Sequence, residues 1–198
     1  METLDEKIAR VVKDEVAVVD YDPQWPGLFQ KERRHLQYCL PDHLIARIEH
    51  FGSTSVPGLS AKPIIDMLVE VTDLEQTHLR IAPLLEAQGY EYFERPTHDD
   101  GKPPYYAWFI KRDEKGNRTH HIHMVDGSAE HSHHWNRLLF RDHLIAHPDT
   151  ARQYGDLKTK LAALHHGDRI GYSNAKADFV VNVTALAKQR EDSSKTNP

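Results

Sequence analysis

The most strand-like run in the chain is Ile64 to Val71, nearly all apolar and interrupted by a single carboxylate, Asp66. A short apolar run of that kind predicts a buried strand. Ile45 to Phe51 alternates and predicts another, and the β-branched run Val16 to Val19 predicts a short one. Tyr90 to Glu94, Tyr105 to Arg112 and Arg118 to Val125 follow, the last two flanking Asp113-Glu-Lys-Gly-Asn, a hairpin-like connection. The helical pattern begins with Leu4, Ile8, Val11 and Val12, behind the capping-box spacing of Thr3 and Glu6, and predicts a helix over 3–13. Pro26 to Leu40 predicts a second, with Pro26 tolerated in its first turn and Pro41 ending it. Asp73 and Gln76 open a third that runs to about Gln88 and meets Gly89. Pro83 inside that span predicts a kink or a break. Trp135, Leu138, Leu139 and Ile145 mark a helix from about Ser132 that ends before Pro148. Tyr154, Leu157, Leu161 and Leu164 form one stripe of a helix over 149–165, and the last helix runs from about Ser173 to Gln189.

Strands precede most helices, so the class is α+β rather than a regular βαβ repeat. No repeat or low-complexity linker interrupts the chain. Residues 14–190 read as a single domain, 1–13 as an N-terminal helical extension and 191–198 as a flexible tail. At 198 residues the chain is long enough to bury a sizeable core. Its single cysteine, Cys39, excludes an internal disulfide framework and a multi-cysteine zinc site. No run approaches the ~18 apolar residues of a membrane span, and Met1-Glu-Thr-Leu-Asp-Glu lacks the basic and apolar regions of a secretory signal. The expectation is a soluble cytoplasmic protein with no membrane partner. A net charge of −5 argues against a nucleic-acid binder, whose domain would carry a strongly basic face. Histidine is the outlier: there are fifteen, eight of them between His120 and His147.

The stretch that carries most chemistry is Glu49-His-Phe-Gly-Ser-Thr-Ser-Val-Pro-Gly-Leu-Ser-Ala-Lys-Pro-Ile-Ile-Asp66. Gly52 lets a ligand approach the backbone, and consecutive N–H groups form an anion pocket. Ser53, Thr54 and Ser55 add hydroxyls suited to phosphate oxygens, and Lys62 adds a point charge. His50 precedes the loop, and Lys176, opening the last helix, is a further phosphate candidate, with Arg141 and Lys158 on the helices before it. A Gly-Ser-Thr loop is most often a plain turn, and Asp66 can equally be a structural carboxylate. The conjunction singles them out: a charge on so apolar a strand is costly unless it is paired or binds a metal.

From Val16 to about Lys188 the sequence resembles the GrpB family. The likeness is carried by Asp20-Tyr-Asp-Pro-Gln-Trp-Pro, by Glu49 to Leu59, and by Lys62-Pro-Ile-Ile-Asp. It continues in His121-Ile-His, Phe140-Arg-Asp-His-Leu and Tyr172-Ser-Asn-Ala-Lys-Ala-Asp-Phe. The family is assigned to the nucleotidyltransferase superfamily, and a related segment occurs behind some bacterial dephospho-CoA kinases. The resemblance implies a mixed, strongly twisted β-sheet backed by helices, with Asp66 as a catalytic metal-binding carboxylate. It also implies a divalent ion, a nucleotide triphosphate and a small-molecule acceptor. The chain departs from the superfamily pattern where a second acidic residue is usual, two positions after the first Asp: that position is Leu68. Glu70 shares the face but lies roughly 13 Å from Asp66 at strand rise.

His121 and His123, at i and i+2 on a strand, share a face, while His120 points away. With Asp66 they would make two imidazoles and a carboxylate, a set that suits Zn²⁺, Mn²⁺ or Fe²⁺ better than oxygen-preferring Mg²⁺. Mg, Mn and Zn all stay open. Protonation would compete with coordination near pH ~6.5. His131, His133 and His134 sit on a polar loop and read as solvated. Two functional classes result: a metal-dependent nucleotidyltransferase, or a nucleotide- or metabolite-binding module without turnover. A metal-dependent hydrolase is the further alternative.

Overall fold

The computed structural model describes residues 17–98 and 102–196. The predicted helix over 3–13 lies outside them, as does Val16. Of the predicted strand Val16–Val19, Val19 forms an isolated antiparallel bridge with Ala61. The chain divides into two compact units. One comprises Asp22–Ser55 and Ile64–Leu138; the other comprises Val56–Pro63, Leu139 onward and the described residues up to Tyr21.

The first unit is α+β. Helix α1 (Trp25–Cys39) leads through a short turn into β1 (Ile45–Phe51), and a single 3-10 turn, Ser53–Ser55, follows. Strand β2 (Ile65–Val71) comes next, then helix α2, built from Leu74–Gln76, a π turn Thr77–Ile81 and Ala82–Glu86. Strands β3 (Glu91–Pro96), β4 (Tyr105–Arg112) and β5 (Arg118–Asp126) complete a five-stranded sheet of order β1-β2-β5-β4-β3. β2 and β5 are parallel and every other pair is antiparallel, so the sheet is mixed, as expected.

β2 is an interior strand, with Met67, Leu68 and Val69 fully buried, which is why its sequence is nearly all apolar. One face of the sheet is backed by helix: Phe29 of α1 stacks on His50 of β1 with ring centroids 4.7 Å apart. Also on α1, buried Glu32 accepts from the Tyr90 hydroxyl and from Lys111 Nζ, the latter at 2.5 Å. Burial pushes this carboxyl up, but the Lys111 and Tyr90 hydrogen bonds outweigh it and leave it below its ordinary value. The predicted break at Pro83 takes the form of the π turn just before it, where the missing proline N–H loosens the ladder. Asp73 accepts from Gln76 N–H at 3.0 Å, the predicted cap.

Helix α3 (Asn136–Ala146) is entered through a 3-10 segment, Ala129–Trp135, rather than directly from Ser132. The second unit adds α4 (Pro148–Leu164), α5 (Arg169–Ala175) and α6 (Ala177–Thr196). Its core joins Val56, Leu59, Leu144, Tyr154 and Val183. The predicted last helix is two helices. Asp168 caps α5 by accepting from Gly171 N–H at 2.8 Å, and α6 continues past the predicted end at Gln189. No helix among the described residues is long and apolar enough to cross a membrane.

Candidate metal centre

Pleat and register build the site. On β2, Asp66 and Leu68 point to one face; on the parallel neighbour β5, Asp66 pairs with His121 and Leu68 with His123. The face thus holds a carboxylate and two imidazoles in adjacent rows. One ligand atom from each of Asp66, His121 and His123 lies within 4.8 Å of the others, the group among the described residues that suits a metal ion. Leu68 is where a second carboxylate is usual, and the strand beside it presents His123 instead. Gly52, between β1 and the Ser53–Ser55 turn, closes the carboxylate side. Its φ is +73°, and a Cβ there would collide with Asp66 Oδ2. Only glycine both adopts that backbone and leaves the carboxylate room.

The donors fit a divalent ion. His123 Nδ1 is buried with no hydrogen-bond partner, a costly condition that coordination would relieve. Burial chiefly, reinforced by the positive charges of Arg137 and Arg95, drives His123 well below its ordinary pKa and keeps it in the neutral form that binds metal. Competition from protons at this ring therefore begins at lower pH than the unperturbed value of ~6.5 suggests. Two imidazoles and one carboxylate leave positions open, as in catalytic zinc and non-haem iron sites.

His121 is held from both sides. Its Nδ1 is 3.2 Å from Asp66 Oδ1, and Arg118 Nη1 is 3.3 Å from its Nε2. Simple alternation would put Arg118 beside His120. A shift in the β4–β5 register, in which Lys111 pairs with His120 but Arg112 with Arg118, leaves Thr119 as an extra residue and re-aims Arg118 onto the face of His121. Arginine only donates, so Nε2 accepts and Nδ1–H donates to Asp66. Coordination through Nδ1 requires the opposite tautomer, whose Nε2–H finds no acceptor in Arg118. Arg118→Gln supplies an amide oxygen and removes a positive charge. We expect calorimetric titration of Mn²⁺ to show affinity raised by about 10-fold in this variant, the low end of what partners of metal-bound histidines contribute. Unchanged or weaker binding would show that His121 does not ligate through Nδ1.

The remaining predicted residues fall in different places. His50 lies on the helix-backed face, stacked on Phe29, with Nε2 3.0 Å from Thr54 Oγ1. Thr54 is buried and donates to Ile64 O at 3.2 Å, so both side chains pack the loop against the sheet. Ser55 donates to Gly52 O at 2.5 Å and shapes the turn, and Ser53 opens that turn. Lys62 and Lys176 belong to the other unit, where each places its ammonium 5.1 Å from the centre of the Tyr172 ring. The structure also supplies residues that the sequence pattern did not single out. Arg95 lies over Trp108 with Cζ 4.8 Å from the ring centre, and Arg137 lies over Phe51 at 5.2 Å. Arg95 continues the alternation of Phe93 on β3 but lies one residue past the strand end predicted at Glu94; Arg137 lies beyond the 3-10 segment and carried no periodic signal.

Comparison with known proteins bears on the family and the fold. The family model described as GrpB protein matches residues 15–186. The UPF0157 protein YqkA of Bacillus subtilis is 36% identical over 178 residues, covering 89% of this chain and 48% of that protein. The glutamate-rich protein GrpB of Alkalihalophilus pseudofirmus is 35% identical, covering 86% of this chain and 94% of that one. A dephospho-CoA kinase of Mycolicibacterium paratuberculosis is 27% identical, across 96% of this chain and 50% of the kinase. The chain thus spans about half the length of the Bacillus and mycobacterial relatives. Among solved structures, the conserved protein GrpB from Enterococcus faecalis superposes with a TM-score of 0.76 at 32% identity, over 88% of this chain and 99% of that one.

Proposed function

The chain belongs to the GrpB family, and we propose that it holds one divalent ion on Asp66, His121 and His123 and transfers a nucleotidyl group from a nucleotide triphosphate to a small-molecule acceptor. The observation that carries this reading is the convergence of three ligand atoms within 4.8 Å beside a glycine turn. Asp66 supplies the negative charge. His121 and His123, neutral, stand in for the carboxylate that Leu68 replaces. The ion, when bound, polarises a phosphoryl oxygen and offsets charge that builds during displacement. Gly52 gives the Asp66 carboxylate room beside the turn that would meet the phosphate. Phe51 and Tyr106, with centroids 5.3 and 5.6 Å from His123, wall the ring from water.

The nitrogen-rich donor set favours a second reading, hydrolysis by a metal-activated water. The test is pyrophosphate and phosphate release from each nucleotide triphosphate with Mg²⁺, Mn²⁺ or Zn²⁺, with and without a filtered small-metabolite extract as acceptor source. Nucleotidyl transfer predicts metal-dependent pyrophosphate release that needs the extract. Asp66→Asn should abolish it, by about 10³-fold or more, in a variant whose circular dichroism is unchanged. Release without the extract favours hydrolysis. Calorimetric nucleotide binding with no release would replace catalysis by a binding role.

A further inference from the structure

Two arginines face the candidate metal centre with no carboxylate in ion-pair contact, although Asp66 bears on Arg137 from farther off. Arg137 reaches Phe51 on β1 with its guanidinium and shares a hydrogen bond with the Tyr106 side chain on β4. The sheet order puts β2 and β5 between those strands, so this side chain spans the rows that carry Asp66 and His123. Its Nη1 is buried and makes no hydrogen bond. Arg95, whose backbone pairs with Tyr106 on the same face, is exposed and lies over Trp108. Neither arginine makes an ion pair with a carboxylate among the described residues. They repel each other, and both bear on His123. Buried charge is ordinarily paired, and Asp66 is already engaged by His121. A divalent ion would add to the excess. Asp66 offsets part of this positive charge, and a ligand would supply the rest.

We propose that Arg137, with Arg95 at the open edge, is the receptor for the polyphosphate chain of the substrate, a reading that rests on the metal-and-nucleotide function above. Guanidinium forks match phosphate oxygens in pairs, and aromatic faces hold both forks in place before the ligand arrives. A chain of phosphates can touch the ion with one group and Arg137 with the next. A dicarboxylate carries less charge and suits this array less well.

Calorimetric titration of pyrophosphate into the full chain, metal-free and with Mn²⁺, tests the proposal. Arg137→Gln should weaken pyrophosphate binding by about 30-fold, the scale of a charged hydrogen bond, and Arg137→Lys by about 10-fold, because the charge survives but the fork does not. Mn²⁺ alone should bind each variant at least as tightly as the wild type. Unchanged pyrophosphate affinity in Arg137→Gln overturns the proposal, as does malonate binding as tightly as pyrophosphate. If Arg137→Gln does not fold, Arg95→Gln decides: weaker pyrophosphate binding supports the receptor and unchanged binding overturns it. A wild type that binds pyrophosphate through Arg137 but no Mn²⁺ sinks the metal reading alone. Mn²⁺ binding without Arg137-dependent pyrophosphate sinks the receptor alone.

Discussion

A His121→Ala/His123→Ala variant is expected to bind Mn²⁺ or Zn²⁺ at pH 7.5 at least about 100-fold more weakly than the wild-type chain. Losing one outer partner of a metal-bound histidine already costs 10–100-fold, and here two ligands go. Of the three ligands only Asp66 remains; the nearby same-face carboxylate, Glu49 of β1, pairs with Leu68 and is engaged by Arg47 at 2.8 Å. The substitution also removes the buried, unpartnered Nδ1 of His123, so the fold loses no hydrogen bond there. Removing His121 does break its contacts with Asp66 and Arg118, so the variant should melt at a lower temperature yet keep its circular dichroism at 25 °C while losing the metal. Calorimetry on both proteins decides it. Equal affinity would make the imidazoles bystanders and return the site to Asp66 and the Gly52 turn.

The parts of this site that depend on local periodicity were legible in the sequence. Strands β1, β4 and β5 begin where alternation places them, and the apolar run of β2 marks a strand buried on both faces. The shared face of His121 and His123 follows from a period of two. What sequence could not show is non-local. The parallel pairing that sets Asp66 opposite His121 joins residues 55 positions apart, and nothing near either one specifies it. Arg118 escaped because a bulge cancels the alternation that would have turned it away. Lys62 and Lys176 were attractive because they sit near the loop or in a family motif, yet chain proximity does not fix which compact unit a side chain joins. His50 shows the same lesson at shorter range: adjacent to the Gly52 turn in sequence, it packs on the other face because neighbouring strand residues point oppositely. The fold class rested on the order of strands and helices and needed no such long-range information.

Lowering the pH from 7.5 to 5.5 should destabilise the metal-free protein by about 3 kcal/mol, mostly through two histidines. His134 is buried at 1% exposure with both ring nitrogens unpartnered. Burial first, then Arg137, His133, His131 and His98, lowers its pKa to about 2. His123 is driven well down in the same sense, burial again leading. Both rings stay neutral in the folded chain, while in the unfolded chain they take up protons as the pH passes ~6.5. The unfolded state then binds more protons, so stability is fully present above ~6.5 and is lost as the pH falls from there toward the folded values. One unit below the unfolded pKa, each neutral histidine costs about 1.4 kcal/mol. His120, lowered mainly by burial, adds in the same direction. Glu32 and Asp126, both lowered, act only below the carboxylate range and so outside this window. Urea unfolding followed by circular dichroism in chelator at the two pH values measures the total. His134→Leu isolates one share: it orphans no hydrogen-bond partner, so it should leave stability at pH 7.5 nearly unchanged and remove about half of the loss at pH 5.5. An undiminished loss in that variant would mean that His134 takes up its proton in the folded chain, and that the wall of arginines and histidines around the centre is open to water.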